Sequence, residues 1–139
     1  MSLKTYHGSC HCGAVQFEVE LDLSHGTNRC NCTFCSKARA WFAFVPPEHF
    51  RLLWGEDAQT EYRWTPVGQP SPNLHYHFCR ICGIGTPGLG DHGPGGGPFY
   101  FVPVALLENV NADELVASIH YIDGRHNQFD RPPGDTRLM

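Results

Sequence analysis

Residues Ala14 to Leu21 (AVQFEVEL) alternate cleanly between apolar and polar. Val15, Phe17, Val19 and Leu21 share one face, and Gln16, Glu18 and Glu20 share the other. A period of two predicts a half-buried β-strand. Trp41 to Val45 (WFAFV) is a short apolar run closed by Pro46 and Pro47, the signature of a buried strand. Alternation returns at Thr60–Thr65, Leu74–Phe78, Phe99–Val102 and Ser118–Ile122, with turn residues between the runs. This spacing predicts a mainly β fold of antiparallel strands. The chain holds 15 glycines and 11 prolines, which leaves little room for long helices. Helix is therefore expected only as single turns at Thr33–Ala38, at Pro47–Phe50, and at Ala105–Leu107 or Ala112–Leu115.

Three segments read as loops. Gly68 to Asn73 is a polar turn. Gly88 to Pro98 (GLGDHGPGGGP) is nearly all glycine and proline around Asp91 and His92, and Gly93–Gly97 reads as a flexible flap over a site. Asp130 to Met139 is expected to be an extended or frayed tail. No internal repeat or linker divides the chain, so residues 1–139 are expected to form one domain with 130–139 as its tail.

Composition narrows the function classes. The 139 residues suffice for a real core, and 41% are hydrophobic. The net charge of −4, with 10 lysines and arginines, argues against nucleic-acid binding by phosphate neutralisation. No run approaches the ~18 apolar residues of a membrane helix. No secretory h-region is visible near Met1, so a reducing, cytoplasmic setting is expected.

The chemistry sits in the cysteines. All seven fall into three tight clusters: Cys10/Cys12, Cys30/Cys32/Cys35 and Cys79/Cys82. An odd count and the expected reducing setting argue against a disulfide framework. No helix-forming stretch starts at Cys79/Cys82, as a redox dithiol would want. Thiols spaced this closely can converge on a soft cation, of which zinc is the usual one. Gly13 and Gly83 follow the outer pairs, which suits tight knuckle turns. Two pairs make the four thiolates a structural zinc wants: Cys10, Cys12, Cys79 and Cys82. Cys30, Cys32 and Cys35 remain as a trio. Three protein ligands and an exchangeable fourth position suit a catalytic zinc; a fourth ligand from a histidine or an aspartate would make it a second closed site. Three thiolates weaken the metal as a Lewis acid, so the trio suits thiol chemistry better than hydrolysis.

Supporting groups can be nominated. Arg29, Lys37 and Arg39 bracket the trio and can grip a carboxylate, or they are solvated surface charges. His75 and His77 alternate on the strand entering Cys79 and are candidates for acid/base work, or are satisfied structural histidines. His92 is a candidate lid group. His11, between two ligands, is expected to point away from the metal.

Three segments carry a resemblance: Ser9–Val19 (SCHCGAVQFEV), Cys30–Lys37 (CNCTFCSK) and Phe78–Gly83 (FCRICG). In order and spacing they resemble the glutathione-dependent formaldehyde-activating enzyme family, also called the centromere protein V/formaldehyde-activating domain. The similarity spans roughly residues 6–125. It implies an Mss4-like fold of stacked antiparallel sheets with short helical turns, stapled by zinc. It implies two zinc ions per chain: a structural one on Cys10, Cys12, Cys79 and Cys82, and a second on Cys30, Cys32 and Cys35. The implied activity is a carbon–sulfur lyase/synthase reaction interconverting glutathione plus formaldehyde with S-(hydroxymethyl)glutathione. A non-catalytic zinc-binding interaction domain of the same fold is the alternative.

Overall fold

The structure is a computed structural model; it describes residues 2–66, 68, 73–93 and 96–139. Among the described residues, ten strands form two sheets. In chain order they are β1 (Lys4–Ser9), β2 (Gln16–Leu21), β3 (Thr27–Cys30), β4 (Phe42–Val45), β5 (Phe50–Trp54), β6 (Gln59–Trp64), β7 (Leu74–Cys79), β8 (Gly85–Gly90), β9 (Phe99–Pro103) and β10 (Ile119–Ile122). Two short helices, α1 (Thr33–Ala38) and α2 (Ala112–Ala117), and single 3-10 turns connect them. The small sheet has the order β1-β2-β5, and the large one β10-β3-β4-β9-β8-β7-β6.

The sheets stack through the alternating faces expected from the sequence. Val15, Phe17 and Val19 have no exposure, and Leu21 has 6%. Phe17, Val19 and Leu21 pack with Tyr6 against Ala43, Val45 and Val102 of the large sheet, while Val15 packs with Cys10, Ala58 and Cys79. Phe50 joins the layers, stacking on Tyr100 at 4.2 Å and tilting onto Phe17 at 5.8 Å. Phe17 is fully buried, worth about 1.5–3 kcal/mol, and the half-buried Phe50 and Tyr100 extend this aromatic seam between the sheets.

The mainly β, antiparallel expectation holds with one exception: β10 pairs with β3 in parallel, Tyr121 beside Arg29 and Ile122 beside Cys30. A polar chain centred on buried Thr27 and Ser118 locks this pair. The Ser118 hydroxyl donates to the Leu115 carbonyl at 2.6 Å, so Thr27 donates to Ser118 at 2.8 Å. Thr27 in turn accepts from the Trp41 indole at 2.8 Å. Each hydroxyl has one proton, which fixes the direction of the chain.

Gly88–Gly90, expected in a loop, belongs to β8. Its glycines are cross-strand sockets. A Cβ on Gly88 would lie 2.3 Å from the Phe101 ring, and one on Gly90 would lie 2.2 Å from Phe99. Aromatic rings of β9 lie over the missing side chains, which supplies the packing that glycine lacks. Pro87 sits at a bulge, where it and Gly88 together oppose Tyr76. Most of the polar turn, and part of the Gly93–Gly97 flap, lie outside the described residues. The tail has no strand or helix but is tied back to the body: the Asp123 N–H donates to the Arg131 carbonyl at 3.0 Å. Among the described residues, no helix is long and apolar enough to cross a membrane.

Candidate functional site

Two sulfur groups form, with the membership that the spacing predicts. Cys10, Cys12, Cys79 and Cys82 bring their Sγ atoms within 4.8 Å of one another, and so do Cys30, Cys32 and Cys35.

The four-sulfur group stands where the two sheets meet. Cys10 follows β1 and Cys79 ends β7, so the group joins the small sheet to the large one. Both turns are closed by left-handed glycines, Gly13 at φ 83° and Gly83 at φ 79°. The Gly83 N–H donates to the Cys79 carbonyl at 2.8 Å, and the Gly13 N–H to Cys10 at 3.2 Å. Backbone N–H groups also point at sulfur: Val15 at Cys10 (3.4 Å), Ile81 at Cys79 (3.4 Å) and Cys82 at Cys79 (3.5 Å). These dipoles favour thiolate. The Ile84 and Cys12 N–H groups hold Cys82 down to about 6. Cys12, which the Ala14 N–H pulls down, is nonetheless raised to about 11 by burial and by the neighbouring sulfurs of Cys79, Cys10 and Cys82.

The three-sulfur group is built on α1. Cys30 ends β3, and Cys32 caps α1, its Sγ accepting from the Cys35 N–H at 3.3 Å. The Cys32 N–H points at the Cys30 sulfur at 3.4 Å. The Cys30 and Cys35 thiols, with the Cys35 and Phe34 N–H groups, hold Cys32 down to about 3. The same proximity pushes Cys35 far up, through Cys30 and then Cys32, and it raises Cys30 through Cys32. Each group thus keeps protons on some sulfurs because several thiolates cannot share so small a volume without a cation. That is the electrostatic condition a soft dication relieves, so the donor sets fit a thiolate-bound metal.

Phe34, between Cys32 and Cys35, anchors α1 to the large sheet. It stacks on Trp64 at 5.4 Å and on Tyr62 at 6.1 Å, and meets Tyr76 edge-on at 4.7 Å. Burial and the nearby Cys35 raise the Tyr76 phenol. The even-numbered face of β7 therefore looks toward α1.

His75 and His77 occupy the odd-numbered face and are engaged elsewhere. His75 lies between Glu61 (3.0 Å) and Asp91 (3.1 Å). The His77 Nδ1–H donates to the Pro87 carbonyl at 3.0 Å, and Nε2 is 3.4 Å from Glu61. The structure does not bring them to the trio: strand alternation turns them with Cys79, away from Tyr76 and Phe34. His92 is exposed in the turn after β8, and no described hydrogen bond ties it to the trio.

The three cations separate. The Arg29 guanidinium lies 4.8 Å from the centroid of the Trp41 ring, itself fixed by Thr27. Arg39 is the C-cap of α1 at φ 55°, and its Nη1 donates to the Leu138 carbonyl at 2.6 Å. Arg29, Cys30, Cys35, Ser36 and Arg39 line a cavity of about 20 Å³, closed by Leu138 and Met139 of the tail. Lys37 is exposed in the last turn of α1, where a cation suits the helix dipole.

The sequence reading missed a brace on the trio, the turn after β10. The Asn31 amide donates to Asp123 at 2.9 Å, and the Arg125 N–H donates to the Asn31 side-chain oxygen at 3.0 Å. Arg125 Nε reaches the Asn31 carbonyl at 3.0 Å, and Nη2 reaches Ser36 at 3.3 Å. Gly124 lies directly on the trio: a Cβ there would be 2.3 Å from the Cys30 sulfur. The strand before this turn was legible. Its parallel pairing with β3, about 90 residues away, had no local signal.

Comparison with known proteins places this arrangement. The model of a family described as glutathione-dependent formaldehyde-activating enzyme matches residues 5–122. A Halomonas elongata protein, named provisionally as a glutathione-dependent formaldehyde-activating enzyme, is 32% identical over 79 residues, covering 54% of this chain and 50% of that protein. The chain thus spans about half the length of the curated relative it matches. A crystal structure of a Rhodobacter sphaeroides protein superposes with a TM-score of 0.65 at 32% identity, covering 83% of this chain and 98% of that one. With a family match running from β1 through β10, the chain belongs to the glutathione-dependent formaldehyde-activating enzyme family.

Proposed function

We propose that the chain holds two zinc ions and catalyses the reversible joining of a thiol, glutathione, to formaldehyde, as a carbon–sulfur lyase/synthase. The observation that carries this reading is the trio itself. Three sulfurs converge within 4.8 Å beside a cavity lined by Arg29 and Arg39, in a chain whose family is named for this chemistry. Cys10, Cys12, Cys79 and Cys82 hold a structural zinc that ties the sheets together. Cys30, Cys32 and Cys35 hold the second.

A zinc ion on three thiolates supplies a soft Lewis acid with a position to spare, suited to keeping a substrate thiol ionised. The chain's own groups do the rest. Arg29, held over the Trp41 ring, and Arg39 present guanidinium groups to the carboxylates of the tripeptide. Lys37 adds a solvent-side positive charge. Phe34 and the Asp123–His126 turn keep the trio from shifting. A tripeptide is far larger than the cavity of about 20 Å³, so it displaces Leu138 and Met139 and takes over the hydrogen bond that Arg39 gives the Leu138 carbonyl. Formaldehyde and thiols combine unaided, so the acceleration required is modest.

That same tail contact favours one second reading, a non-catalytic zinc domain whose trio is permanently covered by its own C-terminal segment. Two measurements decide. Metal analysis should give two zinc ions per chain. Exchange NMR on a glutathione–formaldehyde mixture should show adduct formation faster with micromolar protein than in buffer. No acceleration, with both zincs present, selects the second reading.

A further inference from the structure

Glutathione addition to formaldehyde moves one proton, from the thiol to the carbonyl oxygen, and neither His75 nor His77 is placed to carry it. We propose that His126 carries this proton, its ring set by Asp123; the inference rests on the reading of the trio as a thiol site.

The argument starts from elimination among nine histidines. His75 and His77 face the Glu61 cluster. His7 pairs with Glu108 and Gln16. His25 pairs with Asp22, and His120 packs against Gly26. His11 lies within the four-sulfur turn, His49 follows β4, and His92 follows β8. His126 alone sits on the turn that touches the trio. Gly124 of that turn is packed against the Cys30 sulfur and the Cys32 Cβ.

The hydrogen bonds then set the ring. Asp123 is buried, at 6% exposure, and is held below the usual carboxylate range by the Asn31 amide and by His126. Its ionised carboxylate can only accept, so the contact of 2.9 Å from His126 Nδ1 is an N–H donation. That leaves Nε2 as the lone-pair nitrogen. The His126 side chain is 67% exposed, so a substrate can approach its ring from solvent. A buried carboxylate orienting an imidazole is the arrangement that makes histidine an effective base and then acid. The Asn31 bond carries the same carboxylate to the residue between Cys30 and Cys32, so the dyad is registered to the sulfurs.

The step balances. The thiol S–H bond breaks and its proton goes to His126 Nε2. The sulfur lone pair forms the S–C bond while the carbonyl π pair moves to oxygen. That oxygen takes the proton back from Nε2–H, giving the hydroxymethyl thioether and returning the histidine to its starting state. Cleavage runs the same path in reverse.

The test uses the full zinc-loaded chain. His126→Ala, on an exposed side chain, should keep both zincs and its glutathione affinity yet lose about 100-fold of the protein-dependent exchange rate. Added imidazole should restore part of the loss, which a structural role would not allow. Independently of turnover, the His126 ring resonances should shift when glutathione is titrated in without formaldehyde, while those of His75 and His77 stay still. An undiminished rate in His126→Ala, a loss that imidazole does not touch, or glutathione shifts at His75 or His77 in place of His126 overturns the assignment. If wild-type protein gives no acceleration, the proposed function fails first and the proton carrier with it.

Discussion

A single methyl group at position 124 probes the trio directly. Gly124 lies outside the left-handed region of backbone space, so alanine there brings no conformational strain. It brings a collision: the new Cβ would stand 2.3 Å from the Cys30 sulfur, where ordinary contact begins at 3.4 Å. Either the turn or the sulfur must retreat by about 1 Å. Overpacking of this size costs about 1–3 kcal/mol, which a domain of ordinary stability survives. Thiolate–zinc distances, however, tolerate only about 0.2 Å. Gly124→Ala should therefore stay folded while zinc per chain falls from two toward one. The assay is metal stoichiometry after gel filtration, paired with a urea melt. Gly134→Ala, where a Cβ meets nothing within 4 Å, is the control and should keep both ions. A Gly124→Ala protein that retains two zincs at wild-type affinity would refute the claim that this turn walls a metal-holding trio.

Three further outcomes are expected. Cys82→Ser removes one ligand of the four-sulfur group; a structural zinc contributes about 10 kcal/mol or more, so this variant should be unfolded by circular dichroism, whereas Cys35→Ser should remain folded with one zinc. Arg39→Gly relieves a left-handed arginine at the α1 C-cap, and should raise stability by up to about 1 kcal/mol in a denaturant melt while raising KM for glutathione, since the guanidinium is lost. Glu61 is held down to about 2, first by Arg63 and then by His75 and His77. Its stabilisation is present above its ordinary value of 4.5 and disappears as pH falls from there toward 2, so the urea-midpoint gap between wild type and Glu61→Gln should close across that window; a gap independent of pH would count against the cluster.

Local chemistry was written plainly in the chain. The alternation of Ala14–Leu21 gave the buried face of β2, and the one- and two-residue cysteine spacings gave the partition of sulfurs into four and three. β8 hid because Gly88 and Gly90 read as turn residues until Phe101 and Phe99 of the next strand supply the missing bulk. β3 (TNRC) is too short and polar to announce itself. That His75 and His77 turn away from the trio was hidden for a related reason. Alternation does put His75 and His77 on the Cys79 face, but nothing local says that α1 and its trio dock on the other face, through Tyr76. The Asp123–His126 brace was invisible because it depends on a parallel pairing of distant segments.

That distant pairing has a consequence during synthesis. Cys30, Cys32 and Cys35 leave the ribosome early, but Gly124 and Asn31's partners on the far turn emerge about 90 residues later. The four-sulfur knot can close once Cys82 is out; the wall of the trio must wait for residues 123–126, about 2–9 s more at ordinary elongation rates. A nascent chain therefore passes through a stage with its architecture fastened and three thiols still unsheltered, when oxidants and competing metals have their widest opening.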